Sequence, residues 1–279
     1  MPDTLYIVAT PIGNLEDITL RAIRTLKEVD IIAAEDTRHT QTLLRHFSIN
    51  TPLTSYHEHN ERAKAGQLVD RLERGESVAL VSDAGTPGIS DPGYRLVLEA
   101  IRRGIRVVPI PGPSALIAAL SASGLPTDGF NFRGFLPSRK RERRSKLQEL
   151  RSDRYSIVVY ETPHRLKESL DDIREILGDR RIVLAREVSK VHEEFLRGRI
   201  SEVIAEVSRR EIRGEVTLII EGCSDVDTAS EEALREEIAG LVADGLRVKE
   251  IAEVLGEKYG YSKRQIYALA MDQGRHAKA

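Results

Sequence analysis

Short apolar runs alternate with amphipathic stretches over the first part of the chain. The runs predict buried strands at four places: 5–9, 31–34, 77–81 and 106–110. Apolar residues at helical spacing predict helices in the intervening segments 19–29, 60–74 and 94–103. This alternation is typical of helices wound around a parallel sheet. We therefore predict a first α/β domain over residues 1–112.

A second set of elements follows, over residues 113–224. Small residues predict a helix at 114–123, and helical spacing predicts another at 165–177. Apolar runs predict strands at 156–160, 182–185 and 216–220. The pattern predicts a second α/β domain but does not give the directions of its strands.

After Glu221 the residue pattern changes to that of a polar linker and then to one that predicts helices alone. Thr228 followed by Glu231 forms a capping-box pattern at the start of this part. A turn at Gly260 and Tyr261 precedes Ser262, which is placed to cap a last helix. We predict a small all-helical extension of helix-turn-helix type over residues 225–279.

Polar or glycine-rich sequence directly follows each predicted strand of the first domain and two strands of the second. These segments are 10–14, 35–38, 82–88, 111–115, 161–165 and 186–187. Ligands of open α/β sheets bind outside the carboxyl ends of the strands. The sequence therefore predicts that these segments meet at a ligand-binding cleft.

The segment Asp83–Gly93 contains three glycines, two prolines and two aspartates. A single turn does not require so many, and close approach of the backbone to a ligand accounts for them better. The chain contains neither GxGxxG nor GxxxxGK[ST], so it gives no support for a Rossmann fingerprint or a P-loop. A nucleotide-like ligand held without a phosphate cradle fits this pattern.

Several charged residues near the predicted strand ends are candidates for chemistry. Glu35 and Asp36 could supply a general base, and Arg38 could clamp a phosphate or carboxylate, although Asp36 could equally cap a helix. For the segment His57–Asn60, zinc ligation, a polar loop facing a substrate and a solvated loop all fit. No third ligand stands at a suitable spacing, and no metal is predicted.

The segment 139–154 holds eight basic residues against three acidic ones. It is either a solvated helix face or an element that contacts the phosphates of a nucleic acid. Phe130, Phe132 and Phe135 precede it and are expected in a core strand, with a stacking platform as the alternative. Lys263 and Arg264 begin the last predicted helix, where a recognition helix presents its basic end.

Composition narrows the class of protein. The 279 residues include 42 basic and 44 acidic side chains, which excludes a uniformly basic coat for nucleic acid. Cys223 is the single cysteine, so an intramolecular disulfide framework is excluded. No window approaches the length of apolar sequence that a membrane span needs, and no basic, apolar leader opens the chain. We expect a cytoplasmic protein without a membrane partner.

Read in order, the strand-end motifs resemble those of the tetrapyrrole methylase superfamily. They are LYIVATPIGNL at 5–15, AEDTR at 34–38, SDAGTPGISDPG at 82–93, PIPGPSA at 109–115, GFLP at 134–137 and YETPHR at 160–165. Within that superfamily they are similar to the ribosomal RNA small subunit methyltransferase I branch, from about Leu5 to Glu221. The helical tail resembles the extension of the same branch.

The resemblance implies that S-adenosylmethionine is held in a cleft between the two α/β domains. The superfamily pattern, carried over position by position, implies cofactor contacts from Pro11, Asp83, Gly85, Thr86, Pro87, Ile89, Ser114, Ala115, Glu161, Ala185 and Thr217. Tetrapyrrole-modifying members usually carry a glycine-rich loop after the first strand. Here that loop is Thr10–Asn14, which argues against a porphyrin-type substrate.

The resemblance also implies a homodimer that methylates the 2′-hydroxyl of a cytidine in the decoding region of small-subunit ribosomal RNA, with either 16S ribosomal RNA or the 30S subunit as the partner. On this interpretation Asp36 or Glu35 is the base or ribose anchor. The expected RNA contacts are Arg38, His57, Glu58, Asn60, Arg139, Lys140, Arg143 and Arg144.

Two other classes of protein fit parts of the pattern. A small-molecule, tetrapyrrole-like methyltransferase would use the same cofactor cleft, but it would not need the basic run or the helical tail. A DNA-binding regulator that senses a nucleotide-like ligand fits the helix-turn-helix-like end, but it would not need so many polar strand-end loops. A methyltransferase consumes its ligand, whereas a sensor returns it intact.

Overall fold

The computed structural model describes residues 4–223 and 231–259, together with 266, 267, 269 and 270. Two compact units are found, one of Met1–Gln148 with Tyr155–Glu221 and one of Glu149–Arg154 with Gly222–Ala279. The predicted cap at Thr228, the turn at Gly260 and Tyr261, the cap at Ser262, and the basic pair Lys263 and Arg264 lie outside the described residues.

The first sheet is parallel throughout and has the strand order β3-β2-β4-β1-β5. Its strands are β1 (Thr4–Val8), β2 (Ile31–Ala34), β3 (Leu53–Ser55), β4 (Val78–Val81) and β5 (Arg106–Ile110). The helices among them are α1 (Leu20–Glu28), α2 (Thr37–His46), α3 (Glu61–Glu73) and α4 (Tyr94–Arg102), with a short 3-10 helix at Leu15–Asp17. Helices cover both faces of this sheet, so its central strands are apolar on both sides.

Side-chain caps fix where two of these helices begin. The hydroxyl of Thr19 accepts a hydrogen bond from the backbone N–H of Ala22 at the start of α1. The carboxylate of Asp36 accepts one from the N–H of Arg38 at the start of α2, 2.8 Å away. Each cap satisfies a donor that the helix itself leaves unpaired.

The second sheet is mixed and has the order β6-β7-β10-β8-β9. Its strands are β6 (Phe130–Phe135), β7 (Ser156–Glu161), β8 (Arg181–Arg186), β9 (Glu194–Arg199) and β10 (Val216–Ile220). The helices of this half are α5 (Ala115–Ser121), α6 (Lys140–Glu149), α7 (Pro163–Leu177) and α8 (Ile200–Arg209). Because β10 runs antiparallel to β7 and β8, residues just before β10 share an edge with residues just after β7 and β8.

The α/β fold class predicted from the sequence is confirmed, with two sheets and a helical C-terminal part. For three strands, β2, β5 and β10, the predicted first and last residues agree with those of the structure. The pattern did not predict β3 and β9, because both strands lie at sheet edges and are only partly buried. It also did not predict the helix α8. The domain boundaries 1–112, 113–224 and 225–279 stay a prediction.

The expectation that all three phenylalanines lie in the core is wrong. Phe132 packs against the core of the second sheet, but Phe130 and Phe135 are exposed to 37% and 53%. They belong to edge strand β6, which pairs only with β7. An edge strand has a neighbouring strand on one side alone, so its side chains are covered from fewer directions.

The basic run on α6 is partly internal, which bears on the predicted RNA contacts Arg143 and Arg144. The Arg143 side chain is 1% exposed and its guanidinium lies 2.8 Å from the carboxylate of Asp172 on α7. Arg144 contacts the same carboxylate at 3.1 Å and pairs with Glu175 through both terminal nitrogens. Arg143 therefore holds two helices together, and its side chain is not exposed at the surface.

The second unit contains α9 (Glu231–Ala243) and α10 (Val248–Tyr259). Leu234 and Ile238 of α9 pack with Ile251 and Leu255 of α10 and with Ile266 in a small apolar core. None of the helices described here is both long and apolar enough to cross a membrane.

The buried pair of Arg143 and Asp172 gives a stability prediction. Arg143→Met is expected to lower the free energy of unfolding by about 3 kcal/mol, because it leaves a buried carboxylate short of its partner. Arg139→Met, which breaks the exposed pair with Glu142, is expected to cost less than about 1 kcal/mol. Urea denaturation measures both, and equal losses would contradict the internal role of Arg143.

Candidate functional site

A cavity of about 340 Å³ lies at the carboxyl ends of β1, β2, β4 and β5, where they meet the β7 and β10 edge of the second sheet. We call it the main cavity. Its lining comes from strand-end segments of both halves: Ile12, Glu35, 83–86, 89–91, Ser114, Ala115, Phe135, 160–163 and 214–217. Its volume falls in the range of small-molecule sites.

A backbone bridge between two strand-end loops forms one wall of the main cavity. Thr10 and Gly85 exchange two backbone hydrogen bonds, of 2.9 and 3.0 Å. The Thr10 hydroxyl donates to the carbonyl of Ser82 at 3.0 Å. Gly85 has φ +83°, a conformation that residues with a Cβ rarely adopt, so glycine is required at this point of the wall.

The loop 83–93 folds back on itself to bring its second aspartate into the cavity. A Cβ on Gly93 would lie 3.1 Å from the backbone nitrogen of Gly88, so the two glycines allow the loop to close tightly. Ser90 has φ +67°, an uncommon conformation for a residue with a side chain. Such strain is held where the surrounding structure fixes the backbone, and it often marks a functional site.

Three carboxylates from two loops line the cavity: Glu35 follows β2, and Asp83 and Asp91 both belong to the loop after β4. Burial and the neighbouring Asp83 raise the pKa of Glu35, with His57 acting in the opposite direction. Burial and the charges of Glu35 and Asp83 raise the pKa of Asp91 to about 6, although Ser82 stabilises its ionised form. The cavity therefore concentrates negative charge, and a cation bound there would relieve the repulsion.

A fourth carboxylate, Glu161 at the end of β7, is fully buried and has three partners. It accepts hydrogen bonds from the backbone N–H of Thr162 at 2.7 Å and from the hydroxyl of Ser169 at 2.6 Å. The guanidinium of Arg165 lies 2.8 Å from it. With its charge paired and its oxygens bonded, Glu161 fixes the shape of the cavity floor.

Aromatic and aliphatic side chains form the other part of the lining. Phe135 and Tyr160 lie with ring centroids 5.5 Å apart, and Ile12 and Ile89 also line the cavity. Burial raises the pKa of Tyr160, so its hydroxyl stays protonated. A ligand with a flat apolar ring and cationic groups matches this combination of walls.

One short segment between β8 and β9 ties the two halves together, and we call Glu187–Lys190 the clasp. Lys190 Nζ lies 2.9 Å from Glu187 and 3.2 Å from Glu215 at the cavity rim. The stem of Lys190 covers Gly13, where a Cβ would lie 2.2 Å from its Cγ. Glu187 covers Gly214 in the same way, at 2.3 Å from its Cδ.

A second cavity, of about 210 Å³, shares Asp83 with the main cavity. It lies between the loop after β1 and α2, and is lined by Thr10, Pro11, Gly13, Leu15, His39, Thr40, Thr42, Leu43, Ser82 and Asp83. Asp83 accepts a hydrogen bond from the N–H of Asp36 at 3.0 Å. The strand-end loops thus enclose two neighbouring spaces.

The main cavity brings together eight of the residues expected to contact a cofactor. They are Asp83, Gly85, Thr86, Ile89, Ser114, Ala115, Glu161 and Thr217. Pro11 lines the second cavity, and Ala185 is buried in β8 beside Thr217. Pro87 belongs to the same loop but does not line either cavity.

The two acidic candidates at the end of β2, Glu35 and Asp36, occupy different environments. Glu35 lines the main cavity, whereas the carboxylate of Asp36 caps α2 and pairs with Arg38 at 2.9 Å. This pairing lowers the pKa of Asp36 to about 2. Arg38 itself is 91% exposed. The alternative of a helix cap thus describes Asp36, whereas Glu35 is the one of the pair that lines the main cavity.

The loop His57–Asn60 is organised by its own hydrogen bonds. Asn60 accepts one from the N–H of His57 at 2.9 Å, and its side-chain nitrogen lies 3.1 Å from His57 Nε2. His57 Nδ1 is buried without a partner, and His57 is close enough to Glu35 to lower its pKa. Glu58 and His59 are exposed. Among the described residues, no group of ligands is placed to hold a metal.

Sequence reasoning missed Asp91, Phe135, Tyr160 and Glu215 as cavity residues. Asp91 stands in the glycine-rich segment that had been singled out, so its position was a usable signal. Tyr160 begins the recognised YETPHR motif at the end of β7. Glu215 precedes a strand, and only the antiparallel direction of β10 brings it to the cavity.

The family model for tetrapyrrole (corrin/porphyrin) methylases matches residues 4–204. A protein of Halalkalibacterium halodurans named "Ribosomal RNA small subunit methyltransferase I" is 51% identical over 95% of this chain and 93% of its own length. A protein of Synechocystis with the same name is 48% identical over 96% of this chain and 97% of its own.

Solved structures show the same fold. Uroporphyrin-III C-methyl transferase from Thermus thermophilus, complexed with S-adenyl homocysteine, matches with a TM-score of 0.54 at 22% identity. The match covers 78% of this chain and 97% of that one.

The buried carboxyl of Asp91 predicts a particular dependence of stability on pH. The pKa of Asp91 is about 6 in the folded protein and 3.8 in the unfolded chain. Between these pH values the unfolded chain ionises first, so the free energy of unfolding falls as pH rises through this range. Asp91→Asn cannot ionise. We expect it to raise the melting temperature relative to wild type at pH 7.5 and to have a smaller effect at pH 4.

The matched control is Asp128→Asn, which makes the same change on an exposed loop residue. Its effect on the melting temperature should be small at both pH values. A shift from Asp91→Asn that is identical at pH 4 and pH 7.5 would contradict the buried, raised-pKa environment.

Proposed function

The chain belongs to the tetrapyrrole (corrin/porphyrin) methylase family, and from this premise we propose that it is an S-adenosylmethionine-dependent methyltransferase of small-subunit ribosomal RNA. The observation that carries the proposal is the near full-length identity of about half with relatives named for that substrate. The acceptor we propose is the 2′-hydroxyl of a cytidine in the decoding region of 16S ribosomal RNA.

The main cavity fits S-adenosylmethionine by the chemistry of its lining. Bound there, this donor supplies an electrophilic methyl group on a positively charged sulfur. Glu35, Asp83 and Asp91 present negative charge to the sulfonium and ammonium groups. Ile12, Ile89 and the pair of Phe135 and Tyr160 supply apolar surface for an adenine ring. The structural neighbour with S-adenyl homocysteine holds the demethylated form of this compound.

Main-chain and hydroxyl groups complete the proposed donor site. Gly85 exposes backbone at the wall because it has no side chain to cover it. The hydroxyl of Ser114 makes no cap hydrogen bond with α5, so it is available to a ligand. Thr217 and Glu161 stand on neighbouring strands of the cavity floor. We propose the eight predicted residues that line the main cavity as the cofactor site, with Pro11, Pro87 and Ala185 supporting it from behind.

Removal of the proton from a ribose hydroxyl requires a base within the cavity. Glu35 meets this requirement because it lines the cavity and its pKa is raised, which makes its carboxylate a better proton acceptor. His57 lies close enough to Glu35 for its charge to lower the pKa of that carboxyl. We propose Glu35 as the base and His57 and Asn60 as the wall of the acceptor site. Positioning supplies much of the acceleration of such a transfer.

The remaining predictions on partners belong to the same proposal. A ribosomal RNA substrate places the protein in the cytoplasm with the 30S subunit as partner. A homodimer is expected from the family resemblance. Of the predicted RNA contacts, Arg38, Glu58, Arg139 and Lys140 are exposed and available, whereas Arg143 is not.

Incubation with labelled S-adenosylmethionine and 30S subunits that lack ribose methylation tests the function. We expect label in one cytidine of 16S ribosomal RNA, and alkaline hydrolysis should leave the 3′ phosphodiester of that nucleotide uncut because its 2′-oxygen is blocked. Label on a base would contradict the proposed acceptor. Binding of S-adenosylmethionine with no transfer to 30S would favour a small-molecule acceptor or a sensor.

Exchange of the two neighbouring carboxylates separates their roles. Glu35→Gln is expected to lower kcat by roughly 10² to 10⁴, because a positioned base contributes about that factor. Asp36→Asn keeps a good helix cap and is expected to leave kcat within a few-fold of wild type. Both rates are measured at saturating 30S and S-adenosylmethionine. Equal kcat values for Glu35→Gln and wild type would exclude Glu35 as the base.

A further inference from the structure

An open groove with basic side chains adjoins the main cavity, and we call it the basic groove. Its volume is about 530 Å³, and it shares Pro163 and Gly214 with the main cavity. Its lining comes from the start of α7, the end of α8 and the segment before β10: Pro163, His164, Lys167, Val207 and 210–214. Of this lining, Pro163 and His164 belong to the YETPHR motif at 160–165, whereas no motif marked the other residues.

The topology of the second sheet explains why these segments meet. Val216 at the start of β10 pairs with Glu161 at the end of β7, and the two strands are antiparallel. The residues that follow β7 and those that precede β10 therefore lie at one edge of the sheet, next to the cavity. Lys167 and Arg213 are brought to the same groove although 46 positions separate them in the chain.

The side chains of the groove leave positive charge uncompensated. Within the described part of the chain, Lys167 is exposed and has no ion-pair partner. Arg210 lies 2.5 Å from Glu194, but Glu194 also pairs with Arg186, so one carboxylate serves two arginines. Arg213 pairs with Glu211 where both side chains are more than 70% exposed. Such exposed pairs are weak and are readily exchanged for another anion.

The basic run on α6 offers less than its sequence suggests. Arg143 is buried against Asp172, and Arg144 is held by Asp172 and Glu175. Arg139 faces Glu142. Two of the eight basic residues in this run, Arg143 and Arg144, are thus held by carboxylates within the protein, whereas Arg139 is exposed like the cations of the groove.

A nucleotide whose ribose enters the main cavity remains joined to its neighbours through two phosphodiesters. These phosphates are too strongly hydrated to follow it into a partly apolar cavity lined by carboxylates, so they must lie at the rim. The rim at Pro163 and Gly214 opens onto the basic groove. We propose that the basic groove binds backbone phosphates of the RNA strand beside the acceptor nucleotide. This inference rests on the proposed function, since it assumes a ribose acceptor.

Charge reversal at single groove positions tests the inference in the full-length protein. Lys167→Glu and Arg213→Glu are expected to raise KM for 30S subunits by roughly tenfold and to lower the log-log salt dependence of 30S binding by about one each. The conservative variant Lys167→Arg keeps the positive charge and should therefore have the KM of wild type. The kcat at saturating 30S and the Kd for S-adenosylmethionine should stay unchanged, because neither side chain lines the main cavity.

Lys27→Glu is the matched control, since it makes the same charge change on an exposed residue. Lys27 lies at the end of α1, just before β2, and so at the edge of the first sheet away from the strand-end loops. It is expected to leave KM and the salt dependence unchanged. Thermal melting of all four variants checks that the fold is intact.

The outcomes separate this inference from the proposed function. If wild type methylates 30S and the groove variants match it in KM and salt dependence, the groove inference is overturned and the function stands. If Lys27→Glu weakens 30S binding as much as Lys167→Glu does, net charge and not the groove controls binding, which also overturns it. If wild type transfers no methyl group to 30S, the proposed function fails, and the inference fails with it.

Discussion

The pair of backbone hydrogen bonds between Thr10 and Gly85 is the constraint on which the site depends. It joins the loops after β1 and β4, which are neighbouring strands, and the Thr10 hydroxyl extends the connection to Ser82. Without this bridge the two loops would be free to separate, and the wall between the main and second cavities would be lost. A glycine with φ +83° makes the bridge possible, because most side chains would oppose that backbone conformation. The bridge therefore fixes where Asp83 stands, at the border of both cavities.

Two kinds of buried charge serve different purposes in this molecule. Glu161 and Arg143 are paired with opposite charges and fix the packing of helices and strands. Among the described residues, neither Glu35 nor Asp91 forms an ion pair with a lysine or arginine, and their raised pKa values record the cost of burying them near Asp83. A protein that only needed stability would gain by replacing them with apolar residues. Their presence in the cavity is best explained by a cationic ligand that compensates them, as the proposed donor would.

Much of the fold follows from residue pattern, because the buried central strands of both sheets are largely apolar runs. Ile31–Ala34 and Val216–Ile220 are fully buried and were placed correctly for that reason. Edge strands such as Leu53–Ser55 and Glu194–Arg199 carry mixed residues, so no periodic signal marks them. The site was predictable where a motif follows a strand, as with Asp83 and Ser114. It was not predictable at Glu215 or in the basic groove, since their positions depend on strand direction, and nothing in the charge run of α6 revealed that Arg143 turns inward.

The clasp has a consequence for how such a protein can change over generations. Gly13 and Gly214 belong to different halves of the chain, yet the side chains that cover them, Lys190 and Glu187, come from one short segment. A larger residue at either glycine collides with the clasp unless the clasp changes too, and a shortened clasp leaves both glycines uncovered. Substitutions at these four positions are therefore expected to depend on one another. Exchanging the first α/β half for one with a larger residue at position 13 would therefore require a change at Lys190 as well.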